Sequence, residues 1–401
     1  MAVLGLRGTG DWAVDERPKS WNEMILYLFP NGDAPLMGLL SKMSTDSVSD
    51  PEHSWWEKTL AAMELEVTAF SDPTITIDDS TVGINAFLTP KGTLLFNVAT
   101  NELMRVTSDP TATNTITVSR NVGGLAGPPT DPVATDVLLI CGSAYEEGSQ
   151  IPTSTGTNPI KTTTFTQILR TSLSMTRTAL NTRLRSGESY RNAKIEALQI
   201  HSSRYEADIF LSQSSEGTGP DGEILRTMSG VIQLLGGYDT VLPTNVRTVG
   251  EFSDNDWVEL DSDIFKFGNM EKIAFTGSVP QRELSKMGRQ LSQLNIETAD
   301  KVYGVKLTHL IGIGDLFIHK HPLFVHMGSL LDDDMIVIDL PKLMWRPLAN
   351  SDTQFVTHRQ DPGQDARKDE FLTEGCLQMS HGGQAVHWWL KDFEKFNKTL
   401  I

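Results

Sequence analysis

Cysteine is almost absent. Two stand in 401 residues, Cys141 and Cys376, far apart and without a CxxC spacing. Nothing in that spacing supports a disulfide framework, and a buried pair of free thiols is expected. No run of eighteen apolar residues occurs, which excludes a membrane-spanning helix. Residues 1–17 have neither the basic stretch nor the apolar core of a signal peptide, so folding in a cytoplasm is expected. Positive charge is short as well: 34 Lys and Arg face 51 Asp and Glu, a net of -17 with a pI near 4.9. A nucleic-acid binder carries basic surface to displace counterions from phosphates, so this chain repels DNA on average. A container whose wall must not stick to DNA is compatible with that balance. Catalytic signatures are missing too. There is no HExxH, Walker loop, GxSxG or paired CxxC. Gly312-Ile-Gly314 lacks the rest of a dinucleotide fingerprint and precedes a strand. The glycine-rich stretch 121–129 lacks the Lys and the strand-to-helix context of a phosphate loop.

What remains is a chain with 39% hydrophobic and 21% charged residues, enough for a sizeable core in one large irregular domain or two to three smaller ones. Its charge is uneven. Residues 51–160 hold 4 Lys and Arg against 13 Asp and Glu, whereas residues 161–211 hold 8 against 4. Opposed fields of this kind suit faces that meet between copies of a chain, although ordinary solvated surfaces give the same asymmetry.

Residues 1–50 mix Gly, Pro, Asp and Ser with isolated apolar anchors, among them Trp12, Trp21, Ile25, Leu28 and Phe29, and read as an extended arm. Ser20 and Glu23 form a capping-box pattern for a short helix over 20–29, ended by Pro30-Asn31-Gly32-Asp33, and a second is expected over 34–43. Residues 54–147 read as short strands at 94–98, 103–106, 115–118 and 137–140, a small barrel or a long hairpin excursion opened by Trp55-Trp56. The polar stretch 149–164 is a linker or a mobile lead-in to a strand. Leu169, Thr171, Leu173 and Met175 alternate with polar residues, which favours a strand over the rival helical face. A helix over 188–212 follows, with Leu198, Tyr205 and Ile209 on one face beside Ala193, Ala197, His201 and Ser202, stopped by Gly217 to Gly222. At about 1.5 Å per residue it spans roughly 35 Å, the length of a structural spine. Residues 223–345 read as α/β: an apolar 230–237, a strand at 272–276, a helix over 280–294 with Leu284, Met287, Leu291 and Leu294 on one face, then strands at 303–310, 316–319 and 335–340. The tail, 355–390, reads as strands around a Gly382-Gly383 turn.

The best metal candidate is His319 and His321, which share a face if on a strand, with His326 and Asp332-Asp333-Asp334. No third ligand sits at a recognised spacing, so surface or cross-strand histidines are the expectation. Glu102, Glu146, Glu147 and Asp339 read as solvated carboxylates, and Trp388-Trp389 as a core or interface anchor. No catalytic, cofactor-binding or metal residue is assigned, and no enzyme activity is expected.

Several stretches resemble the SU-ten-like major capsid proteins of tailed phages, in that family's order. They are Asp15-Glu-Arg-Pro-Lys-Ser-Trp-Asn-Glu, Tyr27-Leu-Phe-Pro-Asn-Gly-Asp-Ala-Pro-Leu, Asp50-Pro-Glu-His-Ser-Trp-Trp-Glu-Lys, Ala144-Tyr-Glu-Glu-Gly-Ser, Ile336-Val-Ile-Asp and Lys368-Asp-Glu-Phe-Leu-Thr-Glu. The resemblance implies an α+β, Hong Kong 97-like capsid fold. It divides into an N-terminal arm over 1–50, an extended loop with an inserted β subdomain over 51–165, and a peripheral domain with the spine helix over 166–222. An axial domain over 223–345 and a C-terminal return to the peripheral domain over 346–401 complete it. It further implies copies of the chain as partners, in hexamers and pentamers of an icosahedral head around double-stranded DNA bound without sequence specificity. Portal, scaffold and decoration proteins are further partners in the family, the location is the virion with assembly in the host cytoplasm, and no membrane is involved. Some relatives cross-link through Lys and Asn; no such pair is assigned here. The family geometry lays one subunit's extended loop across its neighbour's spine region. Trp12, Trp21, Trp55, Trp56, Arg170, Arg177, Arg183, Arg185 and Arg191 are the expected contact residues. Rival readings are a tail-tube, head-completion or decoration protein, and a hydrolase with a β accessory domain.

Overall fold

A computed structural model describes residues 36, 38, 46–58, 63–79, 85–124, 130–182, 188–239, 243–291, 296–298, 308–326 and 331–397. Two compact units result: one spans Trp55–Thr162, and the other comprises the chain before and after it. The chain passes between them in strand β1 (Glu52–Glu57) and again in a later strand that pairs with it.

The smaller unit is a closed six-stranded barrel of β2 (Glu64–Ser71), β3 (Thr74–Ile77), β4 (Thr93–Asn97), β5 (Glu102–Val106), β6 (Thr115–Ser119) and β7 (Val137–Ser143), in the order β2-β3-β6-β5-β4-β7. Alternation along each strand sends Leu65, Val67, Ile75, Ile77, Leu95, Met104, Val106, Ile116, Val118 and Leu138 into one core. Closure leaves no sheet edge to pair with other chains. Glu102, expected in solvent, is fully buried: Arg120 donates from Nε at 3.1 Å and Nη2 at 2.7 Å, and the Asn121 amide donates at 2.9 Å. The same guanidinium reaches the Thr130 carbonyl at 2.6 Å and Asp131, tying down the segment that leads into β7. Gly92 has φ +93°, and a Cβ there would lie 2.5 Å from the Tyr145 ring, so Tyr145 of the Ala144-Tyr-Glu-Glu-Gly-Ser stretch seats where only glycine fits.

In the larger unit, β8 (Ile160–Phe165) leads to β9 (Gln167–Thr176), the strand expected from its alternation, then α1 (Arg177–Asn181) and the long helix α2 (Ser189–Leu211). A hairpin, β10 (Ser215–Thr218) and β11 (Ile224–Thr227), follows, then α3 (Val231–Leu234), β12 (Val246–Phe252), α4 (Asp254–Ile264), β13 (Glu271–Thr276) and α5 (Ser278–Leu291). The chain continues through β14 (Ile296–Thr298), β15 (Thr308–Ile311), β16 (Asp315–Lys320), α6 (Pro322–His326), β17 (Met335–Ile338), β18 (Leu343–Pro347), β19 (Gln354–Val356), β20 (Ala366–Met379) and β21 (Trp388–Phe396). A seven-stranded mixed sheet has the order β12-β21-β17-β13-β16-β15-β14, parallel at β12/β21 and β13/β16. Both of its faces are covered, so β17 reads Met-Ile-Val-Ile without a polar residue. Ile273, Phe275, Ile336, Ile338 and Trp389 face one core with the C-terminal half of α2. Ala274, Met335, Val337, Trp388 and Leu390 face the other with Trp257, Leu260 and Ile264 of α4 and Leu284 and Met287 of α5. Trp388 and Trp389 are therefore core residues of opposite faces.

The second sheet is built on β20, with β9 along one side and β18 and β19 along the other. The α2 helix lies on it. His201 of α2 hydrogen-bonds Thr171 of β9 at 3.0 Å and Thr373 of β20 at 2.9 Å. Leu198 shares an angular stripe with Tyr205 and Ile209, yet it is 44% exposed. The buried row is Ala197, His201, Tyr205 and Ile209, at i+4 spacing. Such rows incline to the helix axis, so a helix crossing a sheet presents a different side at each end. One further expectation fails on burial: Cys376 is buried but Cys141 is exposed on β7. Within the arm, Leu36 and Val48 join the core of the larger unit and the Val48 amide bonds the Pro347 carbonyl at 2.9 Å, whereas Asp46, Ser47, Ser49 and Asp50 are exposed. Leu36 and Gly38 are helical; the helix expected over 20–29 lies outside the described residues.

Candidate assembly surfaces

Among the expected contact residues, Trp12, Trp21, Arg183 and Arg185 lie outside the described residues. On β1, successive side chains point to opposite faces. Trp55 is buried and donates from Nε1 to Glu57 at 2.6 Å, whereas Trp56 is 66% exposed, so of the two rings Trp56 is the one open to solvent. The arginines of β9 and α1 have partners within the chain. Arg170 donates to Glu370 Oε2 from Nε at 2.9 Å and Nη2 at 2.6 Å, and Arg177 Nε lies 2.9 Å from Asp365. Arg191 is exposed on α2. The expected basic strip is thus partly offset by carboxylates of the C-terminal segment, a cancellation that block charge counts cannot register.

Bare apolar surface occurs at places the sequence reading passed over. Ile195, Leu198 and Ile200 of α2 are each about two-fifths exposed. On the hairpin, Ile224 and Leu225 are bare on adjacent positions of β11. Residues 217–222 read only as a helix stop; the cue for a hairpin was the turn sequence Gly-Pro-Asp-Gly between short runs containing Thr and Ile. The barrel's outer wall is acidic: Glu64 and Glu66 alternate outward along β2, with Asp72 and Asp79 exposed beside them.

Buried ionisable groups have structural partners. Lys272 of β13 donates to the carbonyls of Ile264, Phe267 and Val386 at 2.7–2.8 Å, and burial holds its ammonium down to about 8. Asp339, expected in solvent, is buried and accepts from the backbone and side chain of Asn269 at 3.1 and 3.2 Å. His321 is no surface histidine. It is fully buried, with Nε2 at 2.9 Å from Glu206, whose same oxygen accepts the Leu36 amide at 2.7 Å. Asp332 caps the Ser278 amide at 2.8 Å, and Asp334 accepts from Trp389 Nε1 at 2.9 Å. Among the described residues no three His, Cys, Asp or Glu gather as metal ligands, and no helix is long and apolar enough to cross a membrane. The side chain of His326 is not among those described.

The major capsid protein of Pseudomonas phage PaMx41 is 26% identical over 383 residues, covering 92% of this chain and 88% of the relative. Solved chains of Microbacterium phage Oxtober96 (12% identity, 96% of this chain and 99% of that chain, TM-score 0.43) and Mycobacterium phage Bobi (8% identity, 95% and 97%, TM-score 0.44) are also similar. The model of the SU10 major capsid protein family matches residues 7–393. With nearly the whole length matched, this chain belongs to the SU10 major capsid protein family.

Proposed function

We propose that the chain is the shell subunit of a phage head, acting by self-assembly rather than by catalysis. The match of the capsid family over residues 7–393 carries this reading. Bare apolar side chains on β1, α2 and β11 support it, since a repeating shell covers such surface with further copies of itself.

On this reading the fold is Hong Kong 97-like. Residues 1–50 are the arm, 51–165 the extended loop with the barrel inserted, and 166–222 the peripheral domain with α2 as spine. Residues 223–345 form the axial domain, and 346–401 return to the peripheral domain. The ten-residue ladder between β9 and β20 supports that return, and the two-faced mixed sheet supports the axial assignment. Subunits form hexamers and pentamers of an icosahedral head in the host cytoplasm. Portal, scaffold and decoration proteins are the further partners, and the head encloses double-stranded DNA. The net charge of -17 suits a wall that does not hold its contents. The acidic 51–160 stretch of one copy docks on the basic 161–211 stretch of the next, with Arg170, Arg177, Arg183, Arg185 and Arg191 contributing beside Trp56.

Expression of the full chain, alone and with the neighbouring phage genes, tests the reading by negative-stain microscopy. Closed polyhedral shells are expected. Tubes, or a monomer that persists at high concentration, would overturn it.

A further inference from the structure

The hairpin of β10 and β11 combines a rigid stem with a bare blade. At the stem, Gln167 of β9 accepts from the Met228 amide and from the Ser212 hydroxyl, both at 3.1 Å, and donates to Asp208 at 3.1 Å. The Ser214 amide donates to Gln233 at 2.6 Å, the Thr227 hydroxyl to the Gln213 carbonyl at 2.5 Å, and the Ser229 amide to Thr164 at 3.0 Å. Met228 is fully buried. A Cβ at Gly230 would sit 2.7–2.9 Å from backbone atoms of Phe210 and Ser212, so the returning strand lies hard against the end of α2.

Beyond the stem nothing in the described chain covers the blade. All four residues of β10 are exposed, and Ile224 and Leu225 are 61% and 57% exposed. Consecutive strand residues face opposite ways, so each face of the blade carries one bare apolar side chain. A two-stranded hairpin is marginal in water by itself, and its outer edge is open to pairing. A firmly held element with exposed apolar tips is preorganised for a partner, because little ordering cost remains to be met on binding.

We propose that this hairpin is a contact arm that seats on a second copy of the chain, with Ile224 and Leu225 as its anchors. The proposal rests on the shell reading above, in which further copies are the partner always at hand. The tip also indicates the kind of contact. Residues 213–227 contain Glu216, Asp221 and Glu223 against the single cation Arg226, which pairs with Glu216 at 2.8 Å, so the tip keeps a net charge of -2 carried by Asp221 and Glu223. Two such tips repel, so the seat is a different surface of the neighbour and the contact is heterologous, the type that closes into rings.

The test uses the full-length chain with Ile224→Ser and Leu225→Ser together. Both side chains are exposed, so the variant is expected to melt within a few degrees of the wild type. Its yield of capsomers and shells, by sedimentation and negative stain, should fall about tenfold or more, as for loss of paired anchors. In the wild type, hydrogen exchange at the amides of residues 224–227 should be fast in free subunits and slow in shells. Shells from the variant at wild-type yield, or no gain of protection, would overturn the hairpin proposal and leave the shell reading standing. A wild type that never assembles would overturn both.

Discussion

His387 is sealed in the larger unit with a neutral ring. Its Nε2 donates to the Ser380 carbonyl at 3.1 Å, and its Nδ1 accepts the Asp339 amide at 3.2 Å. Burial, with Lys272, His381 and Lys342 nearby, pushes its pKa down to about 4. The unfolded chain takes up that proton near 6.5, so the stability this ring contributes is full above pH 6.5 and is lost as pH falls towards 4, by about 3 kcal/mol. Asp334 runs the other way: burial raises its carboxyl to about 6, so its contribution grows as pH falls from 6 towards 3.8. His387→Asn keeps the acceptor for Asp339 and leaves Ser380 short of a donor. The variant is expected to lose about 1–3 kcal/mol at pH 7, with the gap to wild type narrowing at pH 4.5. Urea titrations of unassembled subunits at the two pH values check this, and a gap that stays constant would refute it. In the sequence His387 looks no different from His381, which is only half-buried. What separates them is tertiary burial, which spacing does not encode.

Elements were legible where one period dominated. The β4, β5, β6 and β7 strands, the β9 strand and the α2 helix stand close to where alternation or an uninterrupted polar–apolar run puts them. Others were missed for physical reasons. The first barrel strands, β2 and β3, are split by Asp72-Pro73 and carry Glu on the outer wall, so neither makes a continuous apolar run. The burial of Leu198 depended on which side of α2 meets the sheet, a property of crossing angle rather than period. The Gly382-Gly383 turn shows the same limit. Both glycines read alike, but a Cβ on Gly382 would sit 2.2 Å from the Leu234 carbonyl oxygen, whereas one on Gly383 meets nothing within 4 Å. Gly382→Ala is therefore expected to cost about 1–3 kcal/mol through backbone displacement. Gly383→Ala should stay within about 0.5 kcal/mol of wild type. Thermal melts of the two variants separate them, and equal losses would refute the close-packing account.

Charge is the property that acts at the scale of the assembled molecule, and much of it is already spent inside one copy. Arg170 and Arg177 are paired with Glu370 and Asp365, so these two contribute less to a neighbour than their number implies. The barrel wall, by contrast, presents Glu64, Glu66, Asp72 and Asp79 to solvent. If acidic and basic stretches of adjacent copies meet, the remaining cations of 161–211 must carry the register, and Arg183, Arg185 and Arg191 are the candidates. Each exposed pair adds only about 0.2–1 kcal/mol, and salt screens it beyond roughly 8 Å at physiological ionic strength. Repeated at every contact between copies, that small term would make assembly depend strongly on salt. Arg183→Glu with Arg185→Glu should leave the melting of the free subunit unchanged and lower shell yield at low salt. It should also flatten the fall in yield expected of the wild type as salt rises, because the attraction being screened is no longer there. Light scattering across a salt series gives both quantities. Shells at wild-type yield with the wild-type salt slope would remove charge as the source of register and leave the apolar contacts of β1, α2 and the hairpin to supply it.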